Sequence, residues 1–570
     1  MSSSSNVKNC LVQTSHKDPT VNLCIDSSTK NRQTLVFCSS KRGAESQAEK
    51  VAKAHTSTQS DLEKLASAIQ STLLTPTKQC KRLAFCVKKG VAFHHSGVAN
   101  KQRELIENAF RKGTIHTICS TPTLAAGLDL PAFRVIIRDY KRFGKRGMSP
   151  IQVLEYKQMA GRAGRPLPDM ATSWGEAILL ATDNTHKDEL YKQFIYGNIE
   201  PVYSKLAVEP VLRTYLLSLI STEMITTVQE AYTFFNETFY AHQFGDVKKL
   251  QLTIRRMISL LVEWNMITTS DESFQKEQSK ESLFQSAKDI FAKEKEKKNA
   301  QLEATNLGRR VSEMYLDPLT AFLLIEALEK ANEQIRPKEN KEQTIELIHL
   351  ITCSLEMQPL LRATTKDSED IYAFMQDHNL LIDETKFYVW RQDDFENSIK
   401  TSLFLLDWMD EKTEDELMQR YGVRPGEISY KQHNSDWLLY ACEELARINN
   451  YKELLHILKH LRLRVKNGVK SELSPLLRFK GVGRTRARIL FSKGVKNIKD
   501  VKKISFSQLC SYIGSALARK LKEEVGINIS EKEEESEKKR LVEQKSFSKD
   551  SFQKGLFEFS LSHKEKNEHN

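Results

Sequence analysis

Between about residues 33 and 182, short apolar runs alternate with segments of helical spacing, and this alternation restricts the fold more than any other feature of the chain. TLVFCSS (34–40) is followed by KRGAESQAEKVAKA, and VAFHHSG (91–97) by KQRELIENAFRKG. IHTICSTP (115–122), RVIIRDY (134–140) and GEAILLAT (175–182) complete the set. Short apolar strands separated by amphipathic helices predict a parallel, doubly wound α/β sheet. Ligands of such sheets sit beyond the carboxyl ends of the strands, which here carry Ser39–Arg42, His94–Gly97 and Ser120–Asp129.

Beyond about residue 205 the alternation stops and helices dominate. LQLTIRRMISLLVEWNMITTS (250–270) predicts an amphipathic helix with a short extended piece after it, which suits a winged helix. KEQSKESLFQSAKDIFAKEKEKKNAQ (276–301) is charged enough to be an exposed helix or linker. Residues 303–470 read as a helical bundle, 471–527 as a small helical domain, and EKEEESEKKRLVEQKSFSKD onward as a disordered tail. The formal charge of +12 predicts an anionic partner, nucleic acid being the commonest. Nine scattered cysteines, without a CxxC pair or a Cys/His cluster, point to a reducing compartment and to neither zinc nor a disulfide framework. The N-terminus MSSSSNVKNCLVQTSHKD lacks an apolar signal region, and no stretch approaches about 18 apolar residues, so a cytoplasmic location is expected.

Four stretches, TLVFCSSKR (34–42), FHHSGV (93–98), TPTLAAGLDLPAFRVII (121–137) and QMAGRAGRP (158–166), resemble motifs IV to VI of superfamily 2 helicases. The likeness continues through LGRRVSEMYLDPLTA (307–321), RYGVRPGEI (420–428) and LRVKNGVKSELSPLL (463–477). The combination, over roughly residues 33–525, is similar to the archaeal fork-processing DNA helicases related to helicase Q and to the helicase part of DNA polymerase theta. The resemblance implies an α/β RecA-like domain followed by mainly α domains. In order these are an N-terminal extension (1–32), the second RecA-like domain (33–200), a winged helix (201–275) and a charged linker (276–302). A helical ratchet bundle (303–470), a helix-hairpin-helix (471–527) and a disordered tail (528–570) complete the expected series.

The resemblance also distributes roles. Arg162 and Arg165 would meet the γ-phosphate of ATP, with Gln158 organising the site, and a planar guanidinium is the side chain suited to that charge. Gly127, Asp129, Gly161 and Gly164 would face the nucleotide, the glycines allowing close backbone approach. Ser39, Ser40, Arg42, His95, Ser96, Gly97, Thr121 and Thr123 would hold the sugar-phosphate backbone of DNA, contacts that give position rather than sequence. For His94 and His95, packing at a strand end is the equal alternative. RDYKRFGKRGMSPI (138–151) is expected to form a strand-separating hairpin, with Tyr140 and Phe143 stacking and Lys145 among the cations. Trp437 stands where the family stacks a base on its ratchet helix, with Tyr430 and Lys431 two turns earlier, where the family commonly has an arginine. Gly481, Gly483 and Arg484 would present a helix N-terminus to a phosphate. QKGLFEFSL (553–561) resembles a sliding-clamp-binding peptide through Gln553, Leu556, Phe557 and Phe559, although Ser560 replaces the usual last apolar residue.

No GxxxxGK[ST] occurs, and Asp188-Glu189, Asp271-Glu272, Asp383-Glu384, Asp410-Glu411 and Asp415-Glu416 all lack the histidine of a DExH box. The expectation is therefore a motor completed by a separately encoded first RecA-like domain, which binds ATP, Mg²⁺ and supplies the catalytic acid. Two other readings share these residues: a non-catalytic DNA-binding subunit, and an RNA helicase of the exosome-assisting type.

Overall fold

Each apolar run in the first 182 residues becomes a strand, and the first four, TLVF, VAFH, TICS and RVII, are buried along their whole length, as strands covered on both faces of a parallel sheet are. The computed structural model describes residues 12–55, 60–73, 76–127, 130–144, 147–164, 174–206, 208–271, 274, 300–335, 341–382, 394–530, 533, 535 and 536. They fall into two units, residues 1–318 with 414–431, and residues 319–413 with 432–570.

In the first unit, β1 (Thr34–Phe37), β2 (Val91–His94), β3 (Thr117–Ser120), β4 (Arg134–Ile137) and β7 (Glu176–Leu179) form one parallel sheet in the order β2-β3-β1-β4-β7. The predicted doubly wound sheet is thus present. Helices α2 (Lys41–Ala54), α4 (Lys78–Val87) and α5 (Asn100–Arg111) cover it, α3 (Ser60–Ser71) packs on α4, and the short α6 (Thr123–Gly127) follows β3. Leu35, Phe37, Val51, Leu83, Phe93 and Ile106 are almost wholly enclosed. Each such side chain contributes about 1.5–3 kcal/mol by leaving water. Helix α1 (Pro19–Thr29), capped by Asp18, adds Val21 and Cys24 to the same core.

After β4 the chain turns out into an antiparallel hairpin, β5 (Lys141–Gly144) and β6 (Gly147–Pro150), then enters the short helix α7 (Val153–Ala160). Beyond β7, helix α8 (Asn184–Leu190) runs into a π-helical turn, Tyr191–Ile195. Helices α9 (Glu209–Ser221), α10 (Val228–Asn236), α11 (Phe239–Phe244) and α12 (Val247–Glu263) follow. β8 (Ile267–Thr269) pairs antiparallel with β9 (Leu302–Ala304), a strand that lies beyond the charged stretch. The wing is therefore closed by residues distant in sequence, and the helix Asn306–Glu313 packs back on α9. A buried, bidentate Arg213–Asp317 pair at 2.6 and 2.5 Å ties α9 to the end of this module.

The second unit is helical. Helices Lys341–Thr352, Phe395–Met409 and Lys452–Asn467 pack together, and a smaller set, Arg484–Ser492, Ile498–Lys503, Phe506–Ile513 and Ser515–Glu524, encloses Val482, Leu490, Val501, Leu509 and Leu521. Gly514 alone joins the last two helices, at φ +86°, a value that favours glycine. Among the described residues no helix is long and apolar enough to cross a membrane.

Candidate nucleotide and nucleic-acid site

The carboxyl ends of β1 and β3 and the start of α7 surround an open cleft of about 610 Å³, lined by Ser39, Ser40, Ser96, Thr121, Thr123 and Gln158 among others. Five residues expected at DNA and one expected at the nucleotide therefore share one opening. Ser40 sits at the N-cap of α2, exposed, its hydroxyl accepting from Gly43 N at 3.0 Å, which leaves its own proton for a further acceptor. Ser39 donates through both its N–H (3.0 Å) and its hydroxyl (3.2 Å) to Asp139 Oδ2. Thr121 and Thr123 hydroxyls meet at 2.9 Å. Arg42 is exposed on the first turn of α2.

The histidine pair is placed differently. His95 is fully enclosed, stacked on Phe93 at 5.7 Å, with Nε2 3.1 Å from Glu45 Oε1 and Nδ1 accepting from Gly97 N at 3.1 Å. Because Nδ1 accepts, the proton sits on Nε2 and goes to Glu45, which fixes the tautomer. Burial depresses the pKa of His95, and of His94 beside Glu107, so both rings are neutral near pH 7. Neither ring reaches the cleft; the packing alternative describes their geometry.

Glu45 is the buried hub behind this loop. It also accepts from Gln79 (2.9 Å), Arg82 (2.8 Å) and Arg424 (2.9 Å). Burial raises its pKa, but the donors His95, Gln79 and Arg424 outweigh that and hold the carboxyl well below the usual range. Gly426 N donates to Gly97 O at 3.1 Å, so RYGVRPGEI lies directly on the loop after β2. A Cβ on Gly97 would stand 2.4 Å from Arg424 Cδ, and one on Gly426 2.1 Å from Ser96 O, so both glycines are required by close approach. Sequence reasoning passed over Glu45. The available signal was an acid at i, i+3 and i+7 spacing with Ala48 and Ala52 on the buried face of α2.

Arg162 is largely buried, its Nε donating to Ala125 O at 3.1 Å and its Nη2 to the same oxygen. With Ala132 N to Arg162 O (3.1 Å) and Gly164 N to Ala132 O (2.9 Å), the arginine loop is laced to the 121–133 segment. Gly164, at φ +66°, leaves no room for a Cβ, which would lie 2.5 Å from Gly175 N. Gly161 lies in the turn that ends α7, and a Cβ on exposed Gly127 would meet nothing within 4 Å. Arg165, Asp129 and Lys145 lie outside the described residues, as do Gln553, Leu556, Phe557 and Phe559.

On the hairpin, Phe143 pairs across the strands with Met148, and both are exposed, at 73% and 63%. Tyr140 does not join them. It is half-buried at the hairpin base, its hydroxyl 2.8 Å from His186 Nε2 and its ring 6.0 Å from Phe194. Tyr430 and Trp437 lie on one helix, Pro425–Ile448, Tyr430 exposed and Trp437 half-buried. Lys431 is buried, which pushes its pKa down to about 8.

In the second unit Gly483 precedes the helix Arg484–Ser492, and Gly481 has φ +91°. The arginines there already have protein partners. Arg484 stacks over Trp408 at 4.5 Å and donates to Lys412 O at 2.5 Å, while Arg488 is bidentate to Glu411 at 2.7 and 2.6 Å and meets Glu472 at 2.6 Å.

Comparison with known proteins agrees with this layout. Residues 68–166 match the helicase conserved C-terminal domain, 175–268 a helix-turn-helix domain, and 345–468 domain 4 of archaeal helicases. The ATP-dependent DNA helicase Hel308 of Methanococcus vannielii is 34% identical over 523 residues, which cover 89% of this chain and 67% of the relative. The chain belongs to the Hel308 family. The Hel308 proteins of Methanocella arvoryzae (34% identity; 92% of this chain, 67% of the relative) and Pyrococcus abyssi (33%; 85% and 63%) match over similar spans. This Hel308-family chain thus spans about two thirds of the length of the relatives it matches.

Proposed function

We propose that these residues form the second motor domain and the DNA-handling domains of an ATP-dependent helicase that moves 3′ to 5′ on single-stranded and forked DNA, in fork repair and recombination. The observation that carries this reading is the shared cleft, in which backbone-binding hydroxyls and Gln158 open on one face while Arg162 is laced to the same segment that bears Thr121 and Thr123. Movement of the arginine loop on hydrolysis therefore acts directly on the strand grip. Ser40, Ser96, Thr121 and Thr123 hold phosphates. The Phe143–Met148 tip splits the duplex, and Trp437, with Tyr430, stacks bases of the passing strand.

ATP and Mg²⁺ belong to this reading through the family. Arg162, held here on Ala125 O, carries the charge suited to the terminal phosphate, and Gln158 offers a hydrogen-bonding amide at the cleft rim, while Arg165, outside the described residues, joins them through the family resemblance. They do not fit a cation: among the described residues no cluster of three His, Cys, Asp or Glu side chains could hold one. The phosphate loop and the metal ligands are supplied by a first RecA-like domain outside these 570 residues. The helix-hairpin-helix reading of 471–527 favours DNA over RNA, and the 553–561 peptide offers a tether to the sliding clamp.

The test is unwinding by the motor assembled with that domain, on forked DNA, on duplexes with 3′ or 5′ tails, and on the RNA equivalents. ATP-dependent opening of forks and 3′-tailed DNA is expected. Preference for 5′ tails or for RNA overturns the proposal, and DNA binding without any unwinding replaces it with a non-catalytic subunit.

A further inference from the structure

The helix that carries Gln158 and leads into Arg162 does not cap itself. α7 is only eight residues long, and its N-cap, Gln152, makes no side-chain bond to the first turn. Two full turns of helix are marginal, and uncapped N–H groups at the first turn leave them weaker. The cap comes instead from residue 200. Glu200 Oε1 accepts from Val153 N at 2.6 Å and Oε2 from Leu154 N at 3.1 Å, placing a carboxylate at the positive end of the helix.

Two further contacts bind the same connector to the same helix. Lys157 Nζ donates to Gly197 O at 3.2 Å. Phe194, fully buried, has its ring 5.3 Å from Tyr156 of α7 and 6.0 Å from Tyr140 at the hairpin base. Gly197 leaves no space for a side chain, since a Cβ would lie 1.9 Å from Gln193 O. Nine residues farther on from Glu200 the chain enters α9 of the winged helix at Glu209. Segment 191–200 thus touches the hairpin base, the first and second turns of α7, and leads on to the next domain.

Building on the motor reading above, we propose that Glu200 is a positioning residue for ATP hydrolysis. By capping α7 from the winged-helix connector it sets the placement of Gln158 and Arg162, and it makes that placement depend on where the connector lies. Glu200 is not among the residues that line the cleft; it acts through α7.

The experiment compares Glu200→Gln with the parent in the assembled motor, and adds Gln152→Asp, which gives α7 an N-cap side chain of its own. Glu200→Gln lowers kcat for DNA-stimulated hydrolysis about three- to tenfold, the size of a lost cap. KM for ATP and the affinity for single-stranded DNA stay unchanged. In the chain without its partner domain, amide exchange at Val153 and Leu154 accelerates. Gln152→Asp in the Glu200→Gln background restores kcat, which a loss of connector stability alone would not allow. An unchanged kcat in Glu200→Gln, or a deficit that Gln152→Asp does not rescue, overturns the proposal. If the parent assembly itself shows no DNA-stimulated hydrolysis, the motor reading falls instead, and the exchange rates still decide whether Glu200 caps α7.

Discussion

The cleft beside β1 and β3 and the arginine-rich helix Arg484–Ser492 carry similar sequence signals, polar or cationic side chains next to glycines, yet differ in what those side chains already hold. In the cleft, Ser40, Ser96, Thr121 and Thr123 line open space. In the second unit, Arg484 and Arg488 are engaged by Trp408, Lys412, Glu411 and Glu472. The difference lies in carboxylates and carbonyls far away in sequence. A donor is available to a phosphate only when no acidic side chain of the fold has reached it first, and the motif alone does not say which case holds.

The contrast can be broken most severely at Arg162. Arg162→Ala in the assembled motor removes both the positive charge and the link to Ala125, and DNA-stimulated hydrolysis falls about 10³-fold in steady-state assays. DNA affinity of the chain persists, because the cleft hydroxyls remain. Next comes Glu45→Gln, which leaves Arg424 and Arg82 short of a buried counter-charge and costs about 3 kcal/mol in denaturant unfolding. The folded pKa of Glu45 is depressed, so its contribution is complete above the ordinary carboxylate pKa and fades as pH falls below it. The gap between parent and variant therefore narrows from pH 6 toward pH 3.

The second unit has its own pH signature. His349, wholly buried, has its pKa lowered to about 3 by desolvation. A depressed histidine stabilises fully above its unfolded pKa near 6.5 and loses that contribution as pH falls toward the folded value. Between pH 7 and 5 this costs the bundle about 2 kcal/mol, and His349→Gln flattens that slope in a pH series of melts. Phe143→Ala, at the exposed hairpin tip, lowers unwinding about tenfold while hydrolysis continues, the size of one lost stacking contact. The smallest effect sharpens the comparison directly. Glu411→Gln frees Arg488 in part, and affinity of the chain for single-stranded DNA rises about threefold at low salt, with a steeper salt dependence.

The parallel sheet was legible because its signal is local: five apolar runs, each bounded by small polar residues, at βα spacing. The motif loops were legible for the same reason, since a residue at the carboxyl end of a parallel strand has only one place to go. What the sequence concealed was long-range pairing. His95 looks like a surface donor until Glu45, fifty residues earlier, accepts its Nε2–H in a hydrogen bond. Ser39 meets Asp139 across a hundred residues, and the wing closes only when Leu302–Ala304 returns past a charged stretch that carries no strand pattern. Tyr140 turned inward because Phe194 and His186 offer its ring and hydroxyl a better environment than the hairpin tip. Glu200 had no local mark at all: a single acid in an irregular connector becomes a helix cap only when the fold brings α7 to it.

The central proposal is that Arg162, hydrogen-bonded to Ala125 O, completes a nucleotide site together with a phosphate loop supplied by a first RecA-like domain. ATP hydrolysis by the purified chain, by a first RecA-like domain, and by the two mixed, each with and without single-stranded DNA, tests it most directly. The account predicts DNA-stimulated turnover in the mixture alone, abolished by Arg162→Ala. Turnover by this chain without the other domain, or a mixture indifferent to Arg162→Ala, would contradict it.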